Sequence, residues 1–123
     1  DEYKVMGLAP YGEPIFVEEI RKILHFDSDG LFSWDADYFV NPNEIKLDYD
    51  TIIPLISNLF GTKMVEVFGP ARKEGEELTQ KHKDIATSVQ RVCEELILHL
   101  LNHLQKHFQN YFHQIYQPHH LLN

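Results

Sequence analysis

Residues 79–117 read TQKHKDIATSVQRVCEELILHLLNHLQKHFQNYFHQIYQ, a stretch that contains neither glycine nor proline. Apolar side chains recur along it at three- and four-residue steps, which places them on one face of an α-helix. Thr79 suits an N-cap, Asp84 lies early enough to favour the positive end of the helix dipole, and Pro118 supplies a stop. The sequence therefore predicts a long core helix over 79–117, with an apolar stripe formed by Ile85, Val89, Val92, Leu96 and Leu100.

The length of this helix sets a limit on its packing. A continuous helix would span roughly 60 Å at 1.5 Å per residue, which exceeds the width of a small domain. We therefore expect a break or fraying after about residue 107. Within the stripe we expect Leu96 to be buried, and Cys93, which lies beside the stripe, to be a buried small side chain.

Shorter elements are predicted upstream of the long helix. Apolar residues at helical spacing over 14–25 indicate an amphipathic helix with Pro14 in its first turn. A strong turn signal at 27–30 is followed by two segments rich in aromatic and branched residues, 31–34 and 38–40. These segments predict a short hairpin about Asp35-Ala36-Asp37.

The middle of the chain is polar and then apolar. Residues 41–50 indicate a loop, and the apolar pattern over 52–60 predicts a short buried helix that ends at Gly61. The opening residues 1–12, with two glycines and a proline, are typical of a loop or a short, interrupted helix. The pattern as a whole predicts one domain that is mainly α with a small β-hairpin, in the α+β class.

Composition excludes several classes of function. The formal charge of −8, from 19 acidic against 11 basic side chains, argues against a nucleic-acid partner, which would need a basic patch. No run of about 20 apolar residues could span a membrane, and a single cysteine fits the reducing cytoplasm. The chain begins at Asp1 without a methionine, so we interpret it as a piece of a longer soluble, cytoplasmic protein.

A histidine ladder, His99, His103 and His107, has the spacing at which two imidazoles on a helix can share a zinc ion. No further acidic residue or cysteine completes a tetrahedral ligand set, and the catalytic HExxH pattern is absent. The interpretation preferred here is a solvated helix face, and no metal is expected in this chain. That face would consist of Asn102, His103, Lys106 and His107.

An acidic cluster in the hairpin region resembles a calcium loop only in composition. It lacks the twelve-residue ligand register and the closing glutamate, so we interpret it as solvated carboxylates. The cluster consists of Asp27, Asp29, Asp35 and Asp37.

Three segments in fixed order carry a resemblance to a known family: EYKVMGLAPYG at 2–12, FGPAR at 68–72 and LTQKHKDIATSVQ at 78–90. They resemble blocks of the nodulation-protein and antibiotic O-carbamoyltransferase family. The resemblance spans about residues 1–105, and the sequence from His107 onwards matches no pattern of the family.

The resemblance implies a fold and an activity for the parent protein. It implies part of an actin-like, sugar-kinase-like ATPase fold, joined to a second domain that makes carbamoyl-adenylate from ATP and carbamoyl phosphate. The carbamoyl group would then pass to the hydroxyl of a small molecule. ATP and a divalent or iron-type metal would be cofactors of the parent: a histidine motif upstream of this chain would bind the metal, and a glycine-rich loop downstream would hold the nucleotide. The isolated chain is not expected to hold either cofactor by itself.

The resemblance also divides the chain and suggests binding residues, but no catalytic ones. Residues 1–12 would face a nucleotide cleft, where Lys4 is a candidate phosphate or carbamoyl-phosphate contact and Glu2 a candidate ribose or metal-water contact. Gly7 and Gly12 would let the backbone approach the ligand. The remaining regions would be a family insertion at 13–67, a loop at 68–78 and the core helix at 79–117.

An alternative from another class is a non-catalytic helical interaction module, in which the long helix docks a partner through its apolar stripe. Self-association of the chain through exposed apolar helix surface also stays open.

Overall fold

The computed structural model describes the backbone of residues 2–45, 47–48, 55–56 and 58–116, and the side chains of 3–45 and 58–113. Its largest element is the helix α4, Gln80–Tyr116, of 37 residues. The helix begins directly after Thr79 and passes residue 107 without interruption, so the expected break there is wrong. With neither glycine nor proline inside it, the backbone has no local cause to break, and its second half extends beyond the packed part of the chain.

Two short helices pack against the first half of α4. Helix α1, Glu2–Leu8, runs into a 3₁₀ turn at Ala9–Tyr11, which is the interrupted helix that the opening residues favour. Helix α2, Val17–Ile23, is shorter than the 14–25 predicted. It carries two acidic residues in its first turn and two basic residues in its last, which complements the helix dipole.

The hairpin lies earlier in the chain than predicted. Strand β1, Leu24–Phe26, pairs antiparallel with β2, Phe32–Trp34, and the turn between them contains Gly30 at φ 84°. The predicted reversal at Asp35-Ala36-Asp37 is wrong, because Asp35 accepts a hydrogen bond from the Asp37 N–H and caps a 3₁₀ turn, Ala36–Tyr38. The last two residues of the helix predicted over 14–25 belong to β1, because the backbone becomes extended at Leu24.

The middle segment also departs from its prediction. A 3₁₀ turn at Pro42–Glu44 precedes strand β3, Leu47–Asp48, which pairs antiparallel with β4, Leu55–Ile56. The predicted helix over 52–60 is therefore wrong where it can be judged, and residues 52–54 and 57 lie outside the described part. Phe60 forms a bridge with Phe39.

Helix α3, Thr62–Phe68, is absent from the sequence prediction. The sequence predicts that Gly61 ends a helix, whereas in the structure it is the N-cap of α3. Gly69 closes the helix at φ 80°, in the left-handed region that favours glycine, and its N–H donates to the Val65 carbonyl at 2.7 Å. Gly61 therefore does mark a helix boundary, but the boundary is the start of a helix and not its end.

The core lies where α1, α2 and the 3₁₀ turns meet the first half of α4. Few of the described apolar side chains are buried there, and Val92 at 1% exposure is the most enclosed among them. Leu96 is half-buried rather than buried, because it lies one turn further along α4, where less of the chain covers the helix. The predicted α+β class is confirmed, with two small antiparallel sheets. The buried apolar set is Ala9, Ile23, Tyr38, Ala86 and Val92.

Candidate functional site

Three polar side chains on α4 hold the segment that follows α1. The Oδ1 atom of Asp84 accepts a hydrogen bond from the Glu13 N–H at 2.9 Å, and the Ser88 hydroxyl accepts one from the Phe16 N–H at 3.0 Å. The Thr87 hydroxyl donates to the Ala9 carbonyl at 2.6 Å. We call Asp84, Thr87 and Ser88 the clamp.

Two of the three clamp side chains are buried and Thr87 is half-buried, which makes their hydrogen bonds energetically important. Ser88 is fully enclosed and Asp84 is 8% exposed. Asp84 therefore acts on the backbone of residue 13 rather than on the helix dipole, and the first turn of α4 contains no acidic residue. A buried acceptor that loses its donor costs about 1–3 kcal/mol, so the clamp fixes residues 9–16 to α4 and thereby positions α1.

A cleft of about 750 Å³ opens between α1, the loop that follows α3, and the start of α4. Lys4 and Gly7 line it from α1, Arg72 from the loop, and His82 and Ile85 from α4. Each of the three segments that carry the family resemblance therefore contributes to one concave surface. We call this surface the cleft.

Arg72 is held in place by its own loop. Its Nη1 atom donates to the Glu76 carbonyl at 2.5 Å and to the Lys73 carbonyl at 3.4 Å. The Glu76 carboxylate accepts from the Lys73 N–H at 2.9 Å, which closes the loop on itself. Because the loop holds one edge of the guanidinium, the planar group is oriented before any ligand arrives.

His82 has a defined hydrogen-bond partner on one side of its ring. Its Nδ1 atom accepts from the Thr79 N–H at 2.9 Å and lies 3.0 Å from the Thr79 hydroxyl. In the neutral ring the proton then resides on Nε2, which makes that nitrogen a donor. Together with Lys4 and Arg72, His82 gives the cleft three side chains of types that can donate hydrogen bonds to an anion.

A second, apolar recess adjoins the cleft. It has a volume of about 390 Å³ and lies between α2, α3 and α4, and Arg72 and His82 line both spaces. Phe68 at one side of it meets Phe16 edge to face, with ring centroids 5.8 Å apart. We call this recess the chamber. Its apolar lining includes Ile20, Ile23, Met64, Phe68, Ile85 and Val89.

The four binding residues suggested by the family resemblance differ in whether they line the cleft. Lys4 and Gly7 line the cleft, and the space beside Gly7 is open. Gly12 does not line it; a β-carbon there would overlap the Lys83 carbonyl and come within 2.5 Å of the Thr87 hydroxyl, so its hydrogen serves close packing on α4. The side chain of Glu2 lies outside the described residues.

Arg72 and His82 are the residues that sequence reasoning missed. Both lie inside the segments that carry the resemblance, but they were treated as parts of a pattern rather than as side chains with a role. The available signal was charge, since the two segments concentrate basic residues in a chain of net charge −8.

The histidine ladder has a structural role at its first two positions. The His99 ring stacks on Phe26 at 5.2 Å, and its Nε2 lies 3.0 Å from the Asp27 carbonyl, while His103 packs over Gly30. The side chains proposed as a solvated face are all exposed, as expected. Within residues 3–45 and 58–113, no group of three His, Cys, Asp or Glu side chains is arranged to hold a metal ion.

Cys93 is exposed, so the prediction of a buried side chain is wrong. It follows the enclosed Val92 directly, and successive side chains on a helix point about 100° apart, which turns Cys93 away from the packed face.

Among the described helices, α4 has the length to cross a membrane, but neither it nor any other is sufficiently apolar.

Comparisons with known proteins agree with the pattern of the three segments. A family model described as the N-terminus of carbamoyltransferases matches residues 1–113. An uncharacterised protein of Synechocystis, sll1178, is 39% identical over 103 residues, which cover 82% of this chain and 15% of that protein.

Two nodulation proteins are also similar. NolNO of Sinorhizobium fredii is 33% identical over 105 residues, covering 82% of this chain and 12% of its own length. NolO of Bradyrhizobium diazoefficiens is 32% identical over 104 residues, covering 82% of this chain and 15% of its own length. The chain thus spans only a small part of the relatives it matches.

Proposed function

The chain belongs to the carbamoyltransferase family, in whose N-terminal domain it lies, and from this premise we propose that its cleft forms one wall of the site that binds the phosphorylated substrates. The main observation behind this proposal is that Lys4, Arg72 and His82 line one concave surface. The parent enzyme, on this proposal, takes a carbamoyl group from carbamoyl phosphate, passes through an ATP-derived carbamoyl-adenylate, and delivers the group to a hydroxyl of a small molecule.

The chemistry of the three side chains suits a phosphoryl group. Lysine supplies a compact positive charge, and arginine supplies a planar fork that matches two phosphoryl oxygens. His82 adds a donor at Nε2 whose orientation is set by the Thr79 N–H. These groups bind and orient an anion. On this proposal their role is to hold the anion, and the catalytic groups are supplied by other parts of the enzyme.

The proposed cofactors fit this chain unequally. A nucleotide phosphate fits the basic cleft, and Gly7 leaves open space on the α1 side of it. A metal does not fit the described side chains, which offer no ligand cluster, so any metal of the parent enzyme would be held elsewhere. An actin-like ATPase fold for the whole domain, in the cytoplasm, is part of the same proposal.

The test uses the full-length enzyme that contains this chain. Lys4→Ala and Arg72→Ala should each lower kcat/KM for carbamoyl phosphate or ATP by at least about tenfold, equivalent to roughly 1.4 kcal/mol of transition-state stabilisation. Lys22→Ala is the matched control, because Lys22 is an exposed lysine in the last turn of α2 and does not line the cleft. Equal activity in all three variants would reduce Lys4 and Arg72 to surface charges.

A non-catalytic interaction module remains the competing proposal, and it draws support from the exposed apolar side chains on the second half of α4. The two proposals differ in what the chain does by itself. A module that self-associates should sediment as a dimer at micromolar concentration, and Leu104→Gln should return it to a monomer. A monomeric wild-type chain would leave the wall of an enzyme cleft as the better account.

A further inference from the structure

The chamber has the properties of a binding pocket for a small molecule. Its volume of about 390 Å³ falls within the range of ligand pockets, and side chains from three helices line it. Its walls are mainly apolar, and two of its polar lining residues, Arg72 and His82, also line the cleft, whereas Asn58 lines the chamber alone. An apolar recess with a polar mouth selects a molecule that has the same two parts.

We propose that the chamber binds the apolar body of a small anionic amphiphile, whose negatively charged head lies against Arg72 and His82. This inference concerns binding alone and does not depend on carbamoyl transfer. The ligand class is a molecule with an aromatic or branched apolar body and one sulfonate, phosphate or carboxylate group. Apolar contact in the chamber provides affinity, and the head group fixes the orientation.

The sign of the head group follows from the charges at the mouth. Within the described residues, the hydrogen bonds that Arg72 makes to its loop both come from Nη1, so Nε and Nη2 take no part in holding that loop. Lys73 and Lys81 line the adjoining recess with Arg72 and His82. The acidic residue among them is Glu76, whose carboxylate accepts from the Lys73 N–H.

This local positive charge contrasts with the rest of the chain. The formal net charge is −8, so the chain as a whole repels an anion, whereas the basic side chains at this mouth attract it. A cationic amphiphile would meet the opposite arrangement. Charge complementarity therefore selects an anionic occupant over a neutral or cationic one.

The test compares two fluorescent probes that share an aromatic body. 8-Anilinonaphthalene-1-sulfonate carries a negative charge, and N-phenyl-1-naphthylamine carries none. Titration of the chain at pH 7.5 should show tighter binding of the sulfonate, with one probe per chain. Methyl NMR spectra should place the bound probe, with shifts at Ile20, Ile85 and Val89 and none at Ile97.

Two variants with matched controls separate the parts of the proposal. Arg72→Gln should weaken sulfonate binding by about tenfold, equivalent to about 1.4 kcal/mol, and leave the neutral probe nearly unchanged, because only the sulfonate loses a charge-assisted hydrogen bond. Arg91→Gln, at an exposed arginine outside the chamber, should change neither probe. Met64→Trp, which fills the chamber, should abolish binding of both probes, whereas Leu98→Trp on exposed surface should not.

The outcomes decide the proposal in each case. Methyl shifts confined to the second half of α4, or several equivalent probe sites, would mean non-specific binding to exposed apolar surface and would overturn it. Equal affinity for the two probes would remove the charge argument. If Met64→Trp does not fold by circular dichroism, the comparison of Arg72→Gln with Arg91→Gln still discriminates.

Discussion

The two halves of α4 share one periodic pattern but differ in what covers them. Over residues 80–96 the helix contacts α1 and α2, and it contains the fully enclosed Val92 and Ser88. Over residues 97–113 every described side chain is exposed except His99 and Leu100, which are half-buried. An apolar stripe therefore predicts a helix and a face, but burial depends on whether another segment is present to cover that face.

The largest expected effect comes from the glycine that packs against the first half. Gly12→Ala should destabilise the chain by about 3 kcal/mol, because a β-carbon there overlaps the backbone of α4 at Lys83. Gly7→Ala is the control with the opposite sign: its side chain would meet open space inside α1, and alanine should stabilise the helix by about 0.5–1 kcal/mol. Urea unfolding followed by circular dichroism measures both. Similar stability for the two variants would mean that α1 and its turn do not pack on α4 as described.

The clamp gives the next largest effect. Asp84→Ala removes the acceptor of the Glu13 N–H and should cost about 2 kcal/mol of unfolding free energy. Glu94→Ala removes an exposed carboxylate from the same helix, whose partner is the Gln90 amide, and should change stability by less than about 0.5 kcal/mol. Equal losses in urea unfolding would show that the clamp is no stronger than a surface contact.

A pair of leucines compares the two halves directly. Leu96→Ala, at a half-buried position, should cost about 1 kcal/mol, which is less than a fully buried leucine would lose. Leu104→Ala, at a side chain that is 50% exposed, should stay within about 0.5 kcal/mol of wild type. A loss of 2 kcal/mol or more at Leu104, on a scale typical of buried leucines, would indicate that the second half is covered in solution.

The smallest expected effect on stability comes from the ion pair between Lys63 and Asp35, which lies outside α4. The hydrogen bond from Lys63 Nζ, at 2.8 Å, lowers the pKa of Asp35 from its ordinary value of 3.8. A lowered folded-state pKa means that the stabilisation is present above about pH 3.8 and is lost as the pH falls through the folded-state value. Lys63→Met should therefore be less stable than wild type at pH 6, and the difference should shrink towards pH 2.

An NMR titration of the Asp35 carboxyl in Lys63→Met checks the cause separately, since its pKa should rise towards the ordinary value. An unchanged Asp35 titration, or a stability difference that persists at low pH, would assign the effect to the lost contact between Lys63 and the Tyr38 ring, whose centroid lies 4.3 Å from Nζ.

The sequence predicted the elements that depend on local interactions, and it did not predict those that depend on contacts with distant segments. The long helix, the start after Thr79 and the turn at 27–30 follow from local propensity, and all three are present. Local propensity could not decide that Leu24–Phe26 leaves a helical pattern to pair with β2, or that Gly61 begins a helix rather than ending one. Both outcomes depend on partners outside the local segment.

The candidate site divides in the same way. Lys4 and Gly7 were placed in a cleft by resemblance, and the structure brings them together with residues from two distant segments. Arg72 and His82 lie far from Lys4 along the chain, so only the packed structure makes them neighbours. Gly12 was assigned to the ligand because glycine permits close approach, yet the group that approaches is the backbone of α4.

The clamp has a consequence for how this region can evolve. Asp84, Thr87 and Ser88 bind the main-chain atoms of residues 13, 9 and 16 respectively, and main-chain atoms are the same for almost every amino acid. Exposed side chains in the held segment, such as those of Tyr11 and Ile15, are therefore free to drift without loosening the attachment. In a saturation library over residues 9–16, survivors should therefore be diverse at 11 and 15 and almost uniform at 12.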